Sequence, residues 1–347
     1  FFQAEDGIRD AQESRGLGDV YKRQASRNMM NTNSNKNQRN IVVVGSINCD
    51  QTAYLKNFPK INETVFANNS QLSLGGKGLN QATAAARLGG KVTMISCVGN
   101  DVFGDLAKTY LEENQINQEY IKVSDDIGTG TATIYVTDSG ENMIAVTAGA
   151  NACLSPEYIR EHADVIRAAD ILIVQLELPL NTVKEALTIA ADANVFTVLN
   201  PAPASDKIID LLELSAVITP NETEVEILTG IYPDNESTAK LAVVELKKMG
   251  AKIVIITMGD KGYYLSTGKT DTFVPSLPVI AVDPTGAGDV FNGAFSTAIA
   301  NGLKIENCAQ FASAAAALSV TKKTAQDAAP TRQQTEDFLK LNKIEIV

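Results

Sequence analysis

The chain has 347 residues, 30 Lys and Arg against 41 Asp and Glu, a formal net charge of −11 and a hydrophobic fraction of 44%. That balance describes a folded globule with a sizeable core, not a disordered or fibrous chain. An acidic surface repels phosphate backbones at long range, which argues against nucleic-acid binding, and no apolar run approaches the roughly 18 residues that cross a bilayer.

Residues 1–38 show no apolar periodicity and end in an Asn-rich run. They lack the apolar core of a secretory signal. FFQAEDGIRD and SRGLGDVYKRQ resemble a translated sequencing adapter, so 1–38 is set aside as a disordered or artefactual tail. The natural start is expected at Met29 or Met30, and the folded body over 39–347.

From Ile41 onward short apolar runs recur: IVVV (41–44), VTMISCV (92–98), ILIVQL (171–176), FTVL (196–199), AVIT (216–219) and KIVIIT (252–257). They lack polar alternation, as parallel strands buried on both faces do. Helical stretches lie between them, so the fold class is α/β, a mostly parallel sheet with helices on both sides. Two regions, about 48–74 and 129–147, alternate polar and apolar and read as antiparallel strands of a small half-exposed sheet, a candidate lid. The four cysteines form no CxxC pair, and the single histidine, His162, lies in the polar segment EYIREHAD. Neither a zinc site nor a Ser-His-Asp triad is expected, and dispersed thiols fit a reducing cytoplasm.

In α/β sheets the ligand site lies at the carboxyl ends of the strands. There AVDPTGAGDVFNGAF (281–295) runs from a strand-like FVPSLPVIAV through a Gly-rich turn into an apolar helix beginning near Asp289. Gly286 and Gly288 let successive N–H groups converge, and the helix dipole adds positive potential, which suits a transferring phosphoryl group. Asp289 is then either the N-cap carboxylate or a general base. SLGGKGLNQ (73–81) carries Gly75, Gly76 and Gly78 around Lys77 without P-loop spacing. Asn48 and Asp50 end the first strand as a pair suited to sugar hydroxyls. Asn221 and Glu224 form either a capping box or an amide–carboxylate pair near Mg²⁺. TMGDKG (257–262) is a further Gly-containing turn.

Together GSINCD (45–50), LGGKGLNQA (74–82), QLELPL (175–180), LNPAPA (199–204), TPNETE (219–224), TMGDKG (257–262) and DPTGAGDVFNGAF (283–295) resemble the ribokinase family of ATP-dependent sugar and nucleoside kinases. The resemblance implies a three-layer α/β/α domain whose β-sheet lid also makes a homodimer. It implies γ-phosphoryl transfer from ATP to the 5-hydroxyl of D-ribose. Asn48, Asp50, Gly76, Lys77, Gly78, Asn80 and Glu177 would surround the sugar. Asn221, Glu224, Thr257, Met258, Gly259, Asp260, Lys261, Gly262 and Ser313 would border the nucleotide, with Glu224 ordering Mg²⁺. Gly286, Ala287 and Gly288 would form the anion hole around Asp289, the base, both Gly288 and Asp289 facing the nucleotide as well. A K⁺ site would use Asp283, Thr285, Ser319, Lys322, Thr324 and Ala328. Thr324 stands where the family usually has Gly and Ala328 where it has Ser, so one hydroxyl ligand is missing. Pro284 replaces a commoner Thr.

Overall fold

The computed structural model describes residues 39–322 and 328–346; the adapter-like stretch with both candidate start methionines, and Thr324, lie outside them. Among the described residues a nine-stranded sheet has the order β13-β12-β11-β10-β9-β8-β1-β4-β5. In chain order these strands are β1 (Asn40–Val44), β4 (Lys91–Gly99), β5 (Asn117–Ser124), β8 (Ile171–Val174), β9 (Phe196–Leu199), β10 (Val217–Ile218), β11 (Ile253–Thr257), β12 (Gly262–Ser266) and β13 (Asp271–Pro275). Strands β5 through β11 across the sheet pair in parallel, while β12 and β13 add an antiparallel edge.

Alternation of side chains through the pleat builds the two cores. Ile41, Val43, Ile171 and Ile173 face one hydrophobic cluster, and Val42, Val44, Leu172 and Val174 face the other. Each buried aliphatic side chain contributes about 1.5–3 kcal/mol, so continuous apolar runs at the sheet centre are strongly favoured. Numbered along the chain, helices α1 (Lys77–Arg87), α2 (Val102–Glu113), α9 (Ala287–Ala300), α10 (Ile305–Ser319) and α11 (Arg332–Leu341) cover the first face. The second is covered by α3 (Pro156–Glu161), α4 (Ala163–Arg167), α5 (Leu180–Asp192), α6 (Ile209–Leu214), α7 (Glu222–Thr229) and α8 (Glu236–Lys248). The result is the expected three-layer α/β/α arrangement. No described helix is long and apolar enough to cross a membrane.

The small sheet has the order β3-β2-β6-β7, with β2 (Asn48–Leu55), β3 (Asn69–Gly75), β6 (Gly130–Thr137) and β7 (Asn142–Thr147). Its central pair, β2 and β6, runs parallel, unlike the all-antiparallel sheet expected from the alternating sequence. Alternation reports a half-exposed face and carries no information about strand direction. Two further expectations shift. The strand before the Gly-rich turn stops at Pro275, because Pro275 and Pro278 cannot extend the ladder, and residues 276–284 cross irregularly to the turn. One of the helical stretches between strands, residues 155–169, is divided into α3 and α4 at His162, whose ring packs edge-on against Tyr120 and Tyr158.

Candidate active site

The site begins where two helices start without side-chain caps. α1 follows Gly76 (φ 89°) and α9 follows Gly286 (φ 78°). Both φ values lie in the region only glycine enters without strain. At Gly76 space is also short, since a Cβ would sit 2.9 Å from the Asn48 backbone nitrogen. At Gly78 it would sit 2.4 Å from that of Ser46, so α1 packs backbone to backbone against the turn after β1. Glu177, just past β8, locks this corner: it accepts the Lys77 N–H at 3.0 Å and the Ser46 hydroxyl at 2.5 Å.

Asp289 is the third residue of α9 and only 6% exposed. The N-cap reading therefore fails, because Gly286 holds that position. Its carboxylate instead crosses to α1, where Asn80 Nδ2 donates to one oxygen at 3.0 Å and Gln81 Nε2 to the other at 2.9 Å. Gln81 also donates to Asn200 Oδ1 at 3.1 Å and accepts from Gln175 Nε2 at 2.7 Å. Asn200 donates to the Thr219 carbonyl, the Thr219 hydroxyl to Asn292 Oδ1, and Asn292 Nδ2 to the Gly288 carbonyl. The chain of bonds thus leaves Asp289, follows the carboxyl ends of β8, β9 and β10, and returns to the first turn of α9.

Of the Gly286–Gly288 turn, the Ala287 N–H donates to the Pro284 carbonyl at 3.2 Å. The Gly288 and Asp289 N–H groups belong to the first helical turn, which has no intrahelical acceptors. Gly288 is exposed, and a Cβ there would meet nothing within 4 Å, so open space lies beside these donors.

Asn48 is buried, and its Oδ1 accepts from Asn151 Nδ2 at 2.8 Å; Asn151 also bonds both backbone groups of Ile47. Asp50 lies on β2 beside Gly75, where a Cβ would fall 2.3 Å from its Oδ2. Burial, and then the Glu177 charge, push the Asp50 carboxyl up to about 6. Lys77 sits among Asp289, Glu177 and Glu224. Burial alone would lower its pKa, but the three carboxylates outweigh it and the ammonium is held above its ordinary range. Burial and Asp289 raise Glu224, against the Asn221 N–H and Lys77.

On the far side, Asn221 and Glu224 do form the capping box of α7, with the Glu224 carboxylate also accepting from Asn221 Nδ2 at 3.1 Å. The capping reading holds, and Glu224, the buried residue of this helix start, lies within electrostatic reach of Lys77 and Asp289. The Thr257 N–H donates to the Pro220 carbonyl, joining the Thr257–Gly262 turn to Asn221. Met258 is buried, its N–H donating to the Gly262 carbonyl; Gly259, Asp260 and Lys261 are exposed, with Lys261 Nζ 5.9 Å from the Tyr232 ring centroid. Ser313 is half-buried on α10, which packs on β12, and among the described residues no hydrogen bond joins its hydroxyl to the turn.

The N–H groups of Val282 and Asp283 donate to the Val320 carbonyl, which brings Asp283 beside the Ser319–Lys322 turn. Asp283 Oδ1 accepts the Thr285 N–H, and the Ser319 carbonyl accepts the Lys322 N–H. Ala328 is buried. Ser46, Asn151, Gln81, Gln175 and Asn200 were not singled out from the sequence. Gln81 sits in the quoted LGGKGLNQA run, but an amide within an Ala-rich helix carries no sign of what it faces. Asn151 lies in a short 3₁₀ turn with no motif at all.

Residues 38–332 match the family model described as pfkB family carbohydrate kinase. The chain is 43% identical over 302 residues to a ribokinase of Haemophilus influenzae, covering 87% of this chain and 99% of that one. It is 37% identical over 307 residues to a deoxyribokinase of Salmonella typhi, covering 87% and 99%. The structure of Arabidopsis thaliana ribokinase complexed with ribose and ATP superimposes with a TM-score of 0.83 at 31% identity, covering 88% of this chain and 99% of the other.

Proposed function

The chain belongs to the pfkB family of carbohydrate kinases, and from that premise we propose that it transfers the γ-phosphoryl group of ATP to the 5-hydroxyl of D-ribose, giving ribose 5-phosphate and ADP. One observation carries the reading. A buried carboxylate, Asp289, is held by two amides of α1 at the open, donor-lined start of α9, with the Lys77 ammonium close by.

Asp289 takes the proton of the sugar hydroxyl as its oxygen attacks phosphorus in line, and the bond from phosphorus to the bridging oxygen of ADP breaks. The first-turn N–H groups of Gly288 and Asp289 and the dipole of α9 stabilise charge on the transferring group. Gly286 supplies the φ that aims them, and Ala287 closes the turn. Asn48 and Asp50 grip ribose hydroxyls, while Gly76, Lys77, Gly78 and Asn80 wall the sugar, a loop that Glu177 holds in place. Asn221, Thr257 through Gly262 and Ser313 border the nucleotide.

Mg²⁺ suits this donor set. Among the described residues no three His, Cys, Asp or Glu cluster as an all-protein cage, and Mg²⁺ is commonly held by one or two carboxylates, waters and substrate phosphates. Glu224 is the residue that would order it, and the ion supplies charge neutralisation on the phosphates when bound. For K⁺, Asp283, Thr285, Ser319 and Lys322 offer hard oxygen donors on two adjoining segments, the chemistry such an ion takes. Ala328 brings no hydroxyl there, so one ligand is missing; activation by K⁺ is still expected, and an equal rate with K⁺ and with a tetraalkylammonium salt would count against it.

The small sheet closes over bound sugar and excludes water, so that ATP is not hydrolysed. One of its faces carries Asp50, Ile134, Ile144 and Val146; the other carries exposed Leu72, Tyr135 and Met143, which we assign to a homodimer contact in a cytoplasmic enzyme. Deoxyribokinases at 37% identity make 2-deoxyribose the second reading. The test is ATP-dependent turnover of D-ribose, 2-deoxyribose, fructose and adenosine with Mg²⁺, with and without K⁺. A kcat/KM for ribose well above the rest is expected. A 2-deoxyribose preference would transfer the assignment to that sugar, and sugar binding with no turnover would overturn the kinase reading.

A further inference from the structure

Gln81 is fully enclosed, with no surface open to solvent. Its amide is used completely: one N–H goes to Asp289 Oδ1, the other to Asn200 Oδ1, and the carbonyl accepts from Gln175. An ionised carboxylate only accepts hydrogen bonds, so Gln81 must present nitrogen to Asp289 and oxygen to Gln175. Gln175 must then present nitrogen to Gln81, which aims its own oxygen at the Gly45 backbone. There that oxygen is buried and, among the described residues, has no hydrogen-bond partner. A Cβ at position 45 would lie 2.3 Å from it, so the space exists only because Gly45 has no side chain.

A buried amide oxygen left unpaired is costly, and turning the Gln175 amide over would place oxygen against the Gln81 oxygen. The polarity of the chain is therefore imposed from the Asp289 end and tolerated at the Gln175 end. We propose that Gln81 and Gln175 are positioning residues for the phosphoryl-transfer reaction: a two-amide relay from the carboxyl end of β8 that holds the Asp289 carboxylate in its accepting orientation toward the sugar hydroxyl. Asn80 holds the second oxygen from the cleft side, so the relay fixes rotation of the carboxylate about its own axis and leaves one oxygen edge for the incoming proton. This rests on the assignment of Asp289 as base.

The experiment is steady-state kinetics of the full chain with ATP, Mg²⁺ and D-ribose for wild type, Gln81→Met, Gln175→Met, the double variant and Asp289→Asn, each checked for folding by circular dichroism. Methionine keeps the volume and removes the amide. Gln81→Met is expected to lower kcat about 10–100-fold with the KM values for ribose and ATP changed less than about threefold, the pattern of a transition-state orientation lost. Gln175→Met is expected to lower kcat about 3–10-fold, and the double variant to be no worse than Gln81→Met, because Gln175 acts only through Gln81. Additive losses, or losses in KM at unchanged kcat, overturn the relay. If Gln81→Met does not fold, Gln175→Met decides: a loss confined to kcat supports the relay and a wild-type kcat overturns it. An active Asp289→Asn would fail the base assignment itself. Collapse of Asp289→Asn beside wild-type kcat in both glutamine variants would fail this inference alone.

Discussion

Two carboxylates carry the proposed chemistry, and they live in unlike regions. Asp289 is held by two amides of α1, and the buried one, Gln81, leads on to further buried amides past β8 and β9. Asp50 sits on the small sheet, whose last strand is exposed along its whole length, with Met143 at 55%, Ile144 at 57% and Val146 at 59%. The first region is built to hold one geometry, because moving any member strands a buried polar atom. The second has apolar groups on both faces and little to hold it down, as expected of an element that closes on a ligand. Phosphoryl transfer on the large layer and sugar recognition on the small sheet is a proposed division of labour with measurable consequences.

The contrast is sharpest at Asp289. Asp289→Asn is expected to lower kcat by about 10²–10⁴, the usual contribution of a general base. A variant with near-wild-type kcat would break the comparison outright. Next comes Gly75→Ala, whose Cβ cannot coexist with Asp50 Oδ2 at 2.3 Å. A displaced carboxylate loses a charge-assisted hydrogen bond, about 1.5–3 kcal/mol, so the ribose KM should rise about 10–100-fold while kcat at saturation changes far less. A fall in kcat instead would mean that the two regions are not separable.

Asp50 also predicts a pH dependence. Its folded pKa, about 6, lies above the ordinary 3.8, so the ionised form is the one that folding disfavours. Stability from this group is complete below about pH 4 and is lost as pH rises through 6. Asp50→Asn should therefore be more stable than wild type at pH 7.5 by about 2–3 kcal/mol and equal to it at pH 4, measured by urea unfolding. In wild type, kcat/KM for ribose should fall as pH drops below 6, because a protonated Asp50 loses its accepting charge, and Asp50→Asn should lack that limb. The smallest effect concerns the outer face. The pair Leu72→Lys and Met143→Lys should yield a monomer in sedimentation, with an intrinsic cost to the isolated subunit of only about 0.5 kcal/mol, since both side chains are exposed on it. An unchanged sedimentation coefficient would remove the dimer from this face.

Much of the layer architecture was legible in the chain. IVVV, ILIVQL, FTVL and KIVIIT are apolar without alternation, and such runs are stable only as strands covered on both faces. The glycines at 76, 78 and 286 were legible too, because a positive φ or a backbone approach excludes other residues. Strand direction in the small sheet was not, since alternation is the same for parallel and antiparallel pairing. Nor was the edge hairpin β12–β13: GYYLS holds too short an apolar run to mark a strand, and DTFVP overlaps the strand-like FVPSLPVIAV only at its last three residues. Asp289 was visible as a carboxylate at a helix start, but its exclusion from the N-cap position was not.

By itself the sequence determined the α/β class, the Gly-rich turns and the residue types that meet at the strand ends, because each follows from a local rule: periodicity, φ, or side-chain chemistry. Only the tertiary structure decided that Gln81 faces Asp289, that Gln175 stands behind it and that Asn151 holds Asn48. Those pairs lie 208, 94 and 103 residues apart. An amide looks the same in sequence whether it faces water or a buried carboxylate, and its partner exists only once the two elements pack.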